Sequence, residues 1–353
     1  MTPIRPLERA DLPAVARLYE LVVRSGSENP PTELAPGLER ALLDQPWADP
    51  EVPSLVYEDA NQGVVAFLGS HVRRLRLDGR PLRLACAGQL VANPGAQMPG
   101  VGALLLRKYL AGPQEVTITD GATNEVRAMW ERLGGATNAL ASVGWTTIFR
   151  PVRFGRLMAE RRRGRRLPLP GAPRAVTGPL TRLPSRSEGA TEPLTPTAMV
   201  AALASFEPAF RILPAYDEAF LGWLFDELAN VQTRGELVRR LVRAPDGRIA
   251  GWYVYYLKAG GVSQVQQLAA APADVGLVLD HLLRDAARQD SAALQGRVEP
   301  HLAGALFARR LLLRRSEWAL IHSRDPEVLA GIALGDGLLT RLDGEWWMGY
   351  HLP

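Results

Sequence analysis

The stretch LVANPGAQMPGVGALLL, residues 90–106, decides the fold. Leu90, Val91 and Ala92 end a predicted strand, a short loop follows, and Gly100 and Gly102 begin an apolar helix. The first backbone N–H groups of a helix have no partners within it, and glycines leave them accessible because they carry no Cβ. The pattern predicts an anion-binding site, although such turns also occur where no ligand binds.

Two other phosphate-binding motifs do not fit this stretch. A Walker A loop would continue into Gly-Lys-Ser/Thr, which is absent. A dinucleotide fingerprint would need three spaced glycines after a first parallel strand. The loop therefore indicates a different class of anion site.

Composition limits the class of protein. The chain has 353 residues, enough for two ordinary domains, and 47% of them are hydrophobic and 22% charged, which is typical of a globular protein. The single cysteine, Cys86, excludes a disulfide scaffold and a multi-cysteine zinc or iron–sulfur site. It also favours a reducing compartment, and we predict a cytoplasmic location.

Charge does not point to nucleic acid. All of the 41 basic residues except Lys108 and Lys258 are arginine, yet the net charge is only +4 and no recognition motif accompanies them. The run ERRRGRR at 160–166 fits a patch for acidic partners or a solvated helix end, and we favour the second. No stretch reaches the roughly 18 apolar residues of a membrane helix, and MTPIRPLERADL lacks the apolar core of a signal peptide. We therefore expect neither nucleic-acid nor membrane binding.

The order of elements predicts an α/β (α+β) protein. Residues 1–150 read as a strand, two helices, a three-stranded meander, and then helix, strand, helix, strand. Residues 151–196 start basic and become rich in Pro, Gly and Ser, which is typical of a linker. Residues 197–353 repeat a similar order. We predict two related domains, each a mixed, mostly antiparallel twisted sheet flanked by helices.

Residues 2–150 resemble the GNAT N-acetyltransferase superfamily. In that family a strand ending in an apolar residue leads into an Arg/Gln-x-x-Gly-x-Gly/Ala loop, and here Gln97-Met98-Pro99-Gly100-Val101-Gly102 follows Val91 at the same spacing. IRPLERADLPAVARLYE is similar to the family's opening strand and helix, and TNEVRAMWERLGG to its helix after the fifth strand.

The resemblance implies a binding site for acetyl-CoA or another acyl-CoA. Backbone amides from Met98 to Gly102 would bind the pyrophosphate, and a backbone N–H near Val91 would polarise the thioester carbonyl. The implied cofactor-binding residues are Leu90, Val91, Ala92, Gln97, Met98, Pro99, Gly100, Val101, Gly102 and Asn124.

The catalytic positions depart from the family pattern. Trp130 stands where members often carry a tyrosine that protonates the leaving thiolate, and an indole N–H is not a useful acid. The fourth strand holds no Glu, Asp or His, so the general base is open among Asp120, Glu28, Glu33 and His71. We predict Asp120 and Trp130 as the catalytic residues, Trp130 only as a hydrogen-bond donor. Cys86 is expected to be a small buried hydrophobe.

The C-terminal half is expected to be a degenerate copy. Where a second phosphate loop would fall, QLAAAPADVGLVLDHLL offers Asp274 and only Gly276, and a carboxylate there would repel a pyrophosphate. Its many aromatic residues are expected to be mostly core. The five histidines show no metal-ligand spacing, and we predict no metal.

These observations predict an N-acetyltransferase that moves an acetyl or other acyl group to an amine by direct attack on the thioester. The acceptor would be a small-molecule or peptide amine, and a homo-oligomer is left open. The alternative is a non-catalytic acyl-CoA-binding or scaffold protein of the same fold, which Trp130 and the carboxylate-free fourth strand favour.

Overall fold

The computed structural model describes residues 3–96, 98–163, 188–309 and 311–345 and shows two mixed β-sheets flanked by helices. The predicted fold class is confirmed. Labels follow chain order. The first sheet contains β1 (Ile4–Pro6), β2 (Leu55–Asp59), β3 (Gly63–Leu77), β4 (Arg80–Ala92), β5 (Val116–Ala122), β6 (Ala136–Thr137), β9 (Ile212–Pro214) and β15 (Trp318–Ser323).

The second sheet contains the remaining strands of the described residues. They are β7 (Val143–Ile148), β8 (Ala190–Pro193), β10 (Glu236–Arg243), β11 (Ile249–Leu257), β12 (Val262–Ala270), β13 (Ala293–Arg297) and β14 (Leu312–Arg315). The helices are α1 (Leu12–Tyr19), α2 (Leu34–Leu42), α3 (Val101–Leu110), α4 (Asn124–Arg132), α5 (Pro151–Arg163), α6 (Pro196–Ala204), α7 (Glu218–Ala229), α8 (Val275–Arg288), α9 (Ala303–Ala308) and α10 (Pro326–Leu334).

Each sheet is covered by helices on both faces. In the first sheet, α3 and α4 pack on one face and α1 and α2 on the other. In the second, α6 and α7 pack on one face and α8 and α9 on the other. The predicted meander is observed as β2, β3 and β4, and Asp78-Gly79 forms the β3–β4 turn with φ of 49° and 82°. Alternating apolar positions therefore predicted the core sheet correctly.

The two sheets exchange strands. The first has the order β1-β2-β3-β4-β5-β15-β6, with β9 also paired to β3, and the second has the order β14-β7-β13-β12-β11-β10-β8. β15, from the C-terminal half, lies between β5 and β6, while β7, from the N-terminal half, lies between β13 and β14. The boundary predicted at residue 150 therefore does not separate the sheets, because residue periodicity encodes which face of a strand is buried and not which partner it pairs with.

The same local order occurs in both sheets. Each contains one parallel pair joined by a helix, β4-α3-β5 in the first and β12-α8-β13 in the second. In each, the exchanged strand pairs antiparallel with the second member of that pair. The two sheets therefore share one arrangement, a parallel pair joined by a helix and an exchanged antiparallel strand beside it.

The predicted linker at 151–196 is ordered at both ends. It begins with α5, and it ends with β8, which pairs with β10. Residues 164–187, in its middle, lie outside the described residues.

Candidate active site

The strands β4 and β5 separate after a short paired region. Their register pairs are Leu84 with Val116, Ala85 with Thr117 and Cys86 with Ile118. Beyond these pairs, residues 87–92 of β4 and 119–122 of β5 diverge, and we call the gap between them the splay. Backbone groups that face the splay are available to a ligand in place of a neighbouring strand.

A bulge in β4 shapes one side of the splay. The β3–β4 register shifts between Phe67 and Gly69, and Gln89 has a left-handed φ of 52°, which is rare for a residue with a side chain. Strained backbone of this kind persists where the surrounding structure holds it, often at functional sites.

Backbone directions past the bulge are fixed by the β3–β4 ladder. The Asn93 N–H donates to the Val65 carbonyl oxygen at 2.8 Å, and Phe67 pairs with Val91 two residues earlier. Because amide direction alternates along a strand, the Val91 N–H also points toward β3, whereas the N–H groups of Leu90 and Ala92 point into the splay. Leu90, and not Val91, is therefore placed to polarise a thioester carbonyl.

The loop and α3 form the predicted anion site. Gly100 adopts a left-handed φ of 85° at the start of α3, and the first helical hydrogen bond runs from the Leu104 N–H to the Gly100 oxygen at 3.1 Å. The N–H groups of residues 100–103 therefore precede the helix's own hydrogen bonds. A Cβ at Gly100 would meet nothing within 4 Å, and one at Gly102 would meet only the Leu90 side chain at 3.9 Å.

Some of the predicted pyrophosphate donors are already used within the loop. The Met98 N–H donates to the Ala96 oxygen at 2.7 Å, and the Val101 N–H donates weakly to the Met98 oxygen at 3.4 Å. Pro99 has no N–H to donate. The open donors that the helix geometry leaves are those of Gly100, Gly102 and Ala103. Gln97 lies outside the described residues.

A cavity of about 170 Å³ leads into the splay between α1, α3 and α4. Tyr19 and Val23 contribute to its lining, and Val23 belongs to a π-helical turn, Glu20–Arg24, that extends α1. Its apolar wall is formed by Leu68, Ala87, Leu90, Leu106, Val126 and Trp130, and its polar residues include Gln89, Thr119 and Glu345.

The carboxylate of Glu345 bridges the two strands of the splay. One oxygen accepts the Gln89 N–H at 3.0 Å, and the other accepts the Thr119 hydroxyl and the Gly121 N–H, the latter at 3.3 Å. The chain reaches this point after α10, where Leu338 donates its N–H to the Ile212 oxygen of β9 at 2.9 Å. Sequence reasoning missed Glu345, since 256 residues separate it from Gln89 and nothing local marks it.

Burial, and after it the negative charge of Asp120, raise the pKa of Glu345, while hydrogen bonds from Thr119 and two backbone amides oppose the rise; the net pKa is about 7. A carboxylate with a pKa near neutrality is suited to take a proton from an amine at neutral pH.

Several solved structures have a similar overall fold. A probable N-acyltransferase from Enterococcus faecalis V583 superposes with a TM-score of 0.57 at 8% identity, covering 94% of this chain and 73% of that one. A GCN5-related N-acetyltransferase from Kribbella flavida gives 0.53 at 16% identity, covering 90% and 70%. The Saccharomyces cerevisiae N-myristoyltransferase, solved with bound myristoyl-CoA, gives 0.52 at 10% identity, covering 96% and 85%. No protein-family model matches the sequence, and no curated protein was found to match it.

The chain has the GNAT fold. At identities of 16% or less, the likeness establishes the fold only. The family resemblance drawn from residues 2–150 is confirmed at that level, and the likeness extends over at least nine-tenths of the chain in these three structures. Two GNAT-like sheets with exchanged strands are the frame that places Glu345 in the splay of the first.

Asp120 is close to the GNAT splay but is engaged in an ion pair. Its carboxylate lies 3.2 Å from Arg297 and accepts the Glu345 backbone N–H at 2.9 Å, and the side chains of both Asp120 and Arg297 are buried. Asp120 therefore orients the segment that carries Glu345, a positioning role in place of the predicted catalytic one.

We predict that Asp120→Asn lowers the pH at which the transfer rate rises. The asparagine oxygen still accepts the Glu345 N–H, but removing the negative charge removes a cause of the raised pKa of Glu345. The midpoint in a kcat/KM against pH profile should fall below about 7. Asp246→Asn, an exposed change in the second sheet's β10–β11 turn, is the control and should leave the midpoint in place. An unshifted midpoint in Asp120→Asn would contradict this role.

Trp130 is not placed to act as a general acid. Its ring is fully buried, and its indole N–H donates to the Ile321 carbonyl oxygen of β15 at 2.9 Å. The ring forms a wall of the cavity and ties α4 to the exchanged strand.

We predict that Trp130→Phe changes kcat by less than about tenfold, whereas loss of a general acid would cost about 100-fold or more. The substitution should instead destabilise the protein by about 1–3 kcal/mol, because the Ile321 oxygen loses its buried donor. Steady-state kinetics and denaturant unfolding of the same sample measure both. A large fall in kcat with unchanged stability would restore the catalytic role.

The other predicted residues are placed as follows. Asn124 begins α4, and its side-chain oxygen accepts hydrogen bonds from Arg315 at 2.9 Å and from Trp318 at 2.8 Å, so it joins the exchanged strand. Glu28 and Glu33 are exposed on the loop after α1. Burial lowers the pKa of His71 to about 3, which makes it a poor base at neutral pH.

Among the residues described, Cys86 is not placed to act as a nucleophile. The second sheet has no second anion site in the same residues. Cys86 is fully buried, and burial raises the pKa of its thiol well above the usual value. At the start of α8, the carboxylate of Asp274 pairs with Arg248, with one oxygen 2.8 Å from the guanidinium. The Asp274 carboxylate, which the sequence predicted at this helix start, is therefore held by Arg248 and makes no capping hydrogen bond to α8.

Within the ranges given above, no cluster of three or more His, Cys, Asp or Glu side chains could hold a metal ion. The helices of the described part are all too short or too polar to cross a membrane.

Proposed function

We propose that this protein is an N-acyltransferase that moves an acetyl or other acyl group from acyl-CoA to an amine by direct attack on the thioester. The observation that carries the proposal is the Glu345 carboxylate at the splay of the GNAT sheet, beside unpaired strand amides and an open helix N-terminus.

The residues present fit an acyl-CoA. The open N–H groups of Gly100 and Gly102 at the start of α3 suit a diphosphate, because the helix dipole and unpaired donors both favour negative charge there. The N–H of Ala92 would pair with a pantetheine amide, and the apolar cavity would enclose the arm. When bound, acyl-CoA supplies the activated acyl group.

Two groups of the chain act on the reacting atoms. The Leu90 N–H would donate to the thioester carbonyl oxygen, where negative charge develops as the amine attacks. Glu345 would take a proton from the acceptor's ammonium, so that the neutral nitrogen can bond to the carbonyl carbon while the carbon–sulfur bond breaks. Glu345, protonated by this transfer, would give that proton to the departing thiolate, which leaves as thiol. The ionised carboxylate would then take the second proton from the nitrogen and pass it to solvent. No separate acid from Trp130 is needed.

A non-catalytic acyl-CoA-binding protein is the second candidate, and the occupied N–H of Trp130 favours it. Glu345 favours the enzyme, since a binder has no use for a carboxylate whose pKa lies near 7 in the reaction centre.

Calorimetry and a thiol-release assay with an amine panel distinguish these candidates. An enzyme binds acetyl-CoA in the micromolar to millimolar range and releases thiol only with a suitable amine. Binding without amine-dependent thiol release identifies a binder. Absence of binding to acetyl-CoA and to longer acyl-CoAs rejects both.

A further inference from the structure

Arg73, on β3, is a fully buried arginine in the first sheet. Its Nη1 donates to the Val72 oxygen at 2.9 Å and to the Gln45 side chain at 3.3 Å, and the guanidinium lies over the Phe220 ring at 5.1 Å. Burial lowers the pKa of Arg73, and no carboxylate forms an ion pair with it within the described ranges. A buried cation without an anionic partner is costly, by several kcal/mol.

The unused donors of Arg73 lie along one edge of the guanidinium. Nε and Nη2 are buried and have no hydrogen-bond partner among the described residues. These two N–H groups point in parallel, and together they match the two oxygens of one carboxylate. The edge that the protein leaves unpaired is therefore the one that binds a carboxylate side-on.

Polar side chains lie between the Arg73 guanidinium and the splay. His71 lies two residues before Arg73, on the same face of β3, and its ring is fully buried. The Gln89 Nε2 is buried and has no hydrogen-bond partner within the described ranges, while its Oε1 contacts His71 Nε2 at 3.3 Å. Buried polar groups without partners are rare in native proteins, and the unpaired donors of Arg73 and Gln89 are suited to a bound polar group.

The same face leads from Arg73 to the reaction centre. A Cβ built on Gly88 would lie 2.8 Å from a Glu345 carboxylate oxygen and 3.2 Å from the His71 ring, so the carboxylate and the ring border the same glycine. Arg73 and Glu345 also both lie close enough to Cys86 to affect its pKa. A cationic donor edge thus lies on the same face as the proton-accepting carboxylate, with His71 between them.

The buried acid near Arg73 is already satisfied by other groups. Asp343 accepts hydrogen bonds from the Tyr216 hydroxyl and from the Thr340 N–H and hydroxyl, the last two at 2.8 Å and 3.1 Å. Its charge acts on Arg73, but its oxygens are held by these partners and not by the guanidinium.

We propose that the acceptor is a small amine that carries its own carboxylate, an amino acid or close analogue, with the carboxylate bound by Nε and Nη2 of Arg73 and the amine presented to Glu345. This inference rests on the proposed function and adds the chemical class of its acceptor. The donor edge of Arg73 and the carboxylate of Glu345 together match a zwitterion. They do not match a polycationic amine, whose positive charge would face the unpaired guanidinium.

Matched acceptors test this directly. Free amino acids are compared with their amides and with the corresponding decarboxylated amines, using acetyl-CoA at saturation and thiol release as the readout. We expect at least one acid to exceed its amide in kcat/KM by about 100-fold, as loss of a buried charge-paired contact predicts. In Arg73→Gln this preference should fall to near unity, because the acid loses rate and the amide does not.

Arg74→Gln is the matched control, since Arg74 is the neighbouring residue but has a largely exposed side chain. It should keep the preference for acids. If Arg73→Gln does not fold, Arg73→Lys, which keeps the charge without the side-on pair of donors, should reduce the preference. Equal transfer to acids and amides by the wild-type protein, transfer to none of the acids, or an equal loss for both in Arg73→Gln overturns the inference. Failure of the proposed function shows differently, as absent acetyl-CoA binding or as binding without thiol release for any amine, with or without a carboxylate.

Discussion

Glu345→Gln will lower kcat by about 100-fold or more, which is the usual contribution of a general base. Glutamine keeps the size of the side chain but cannot take a proton. In the wild-type protein, kcat/KM should rise with pH through about 7 and then level, because Glu345 acts only when ionised and burial raises its pKa to about 7. In Glu345→Gln that rise should disappear.

Acetyl-CoA binding separates this effect from misfolding. Calorimetry should give Glu345→Gln an affinity within a few-fold of the wild-type value, because its side chain does not contact the start of α3. Glu236→Gln, an exposed substitution on β10, should keep both the rate and the pH profile. Full activity in Glu345→Gln would show that Glu345 is not the general base.

Gly102→Asp will weaken acetyl-CoA binding by about 100-fold or more. The new carboxylate would stand beside the N–H groups that we assign to the diphosphate, and like charges about 4 Å apart repel by about 4 kcal/mol at an effective dielectric constant of about 20. The fold should tolerate the change, since a Cβ at this position meets only a side-chain carbon at 3.9 Å and an acidic residue favours a helix N-terminus.

Two control variants isolate the charge at this helix end. Gly102→Ala adds the same Cβ without charge and should bind acetyl-CoA nearly as the wild type does. Gly155→Asp places the same carboxylate in α5, where a Cβ at Gly155 meets nothing within 4 Å, and should leave binding unchanged. Unaltered affinity in Gly102→Asp would show that the diphosphate lies elsewhere.

Local signals predicted the parts of the site that are local in sequence. The β4 strand, the loop and α3 are contiguous, and their apolar spacing and glycines predict both the elements and the open helix N-terminus. The left-handed Gly100 and the exposed turn agree with that prediction.

The remainder depends on contacts between distant residues. Trp130 lost its predicted role because its N–H meets the oxygen of Ile321, 191 residues away, on a strand that periodicity assigned only to the C-terminal half. Glu345 lies in LDGEWWMGY, which reads as a closing segment, and only the path of the chain after α10 brings it between β4 and β5. Arg73 occurs in a basic stretch of β3 where Arg74 and Arg76 are exposed, so its burial could not be foreseen.

The most direct test is a crystal structure of the protein with a non-hydrolysable acetyl-CoA analogue. We expect the diphosphate within hydrogen-bond distance of the N–H groups of Gly100 and Gly102, the pantetheine arm paired with Ala92, and the thioester-equivalent carbonyl on the Leu90 N–H beside Glu345. An analogue bound outside the gap between β4 and β5, or a diphosphate held away from the start of α3, would contradict the account.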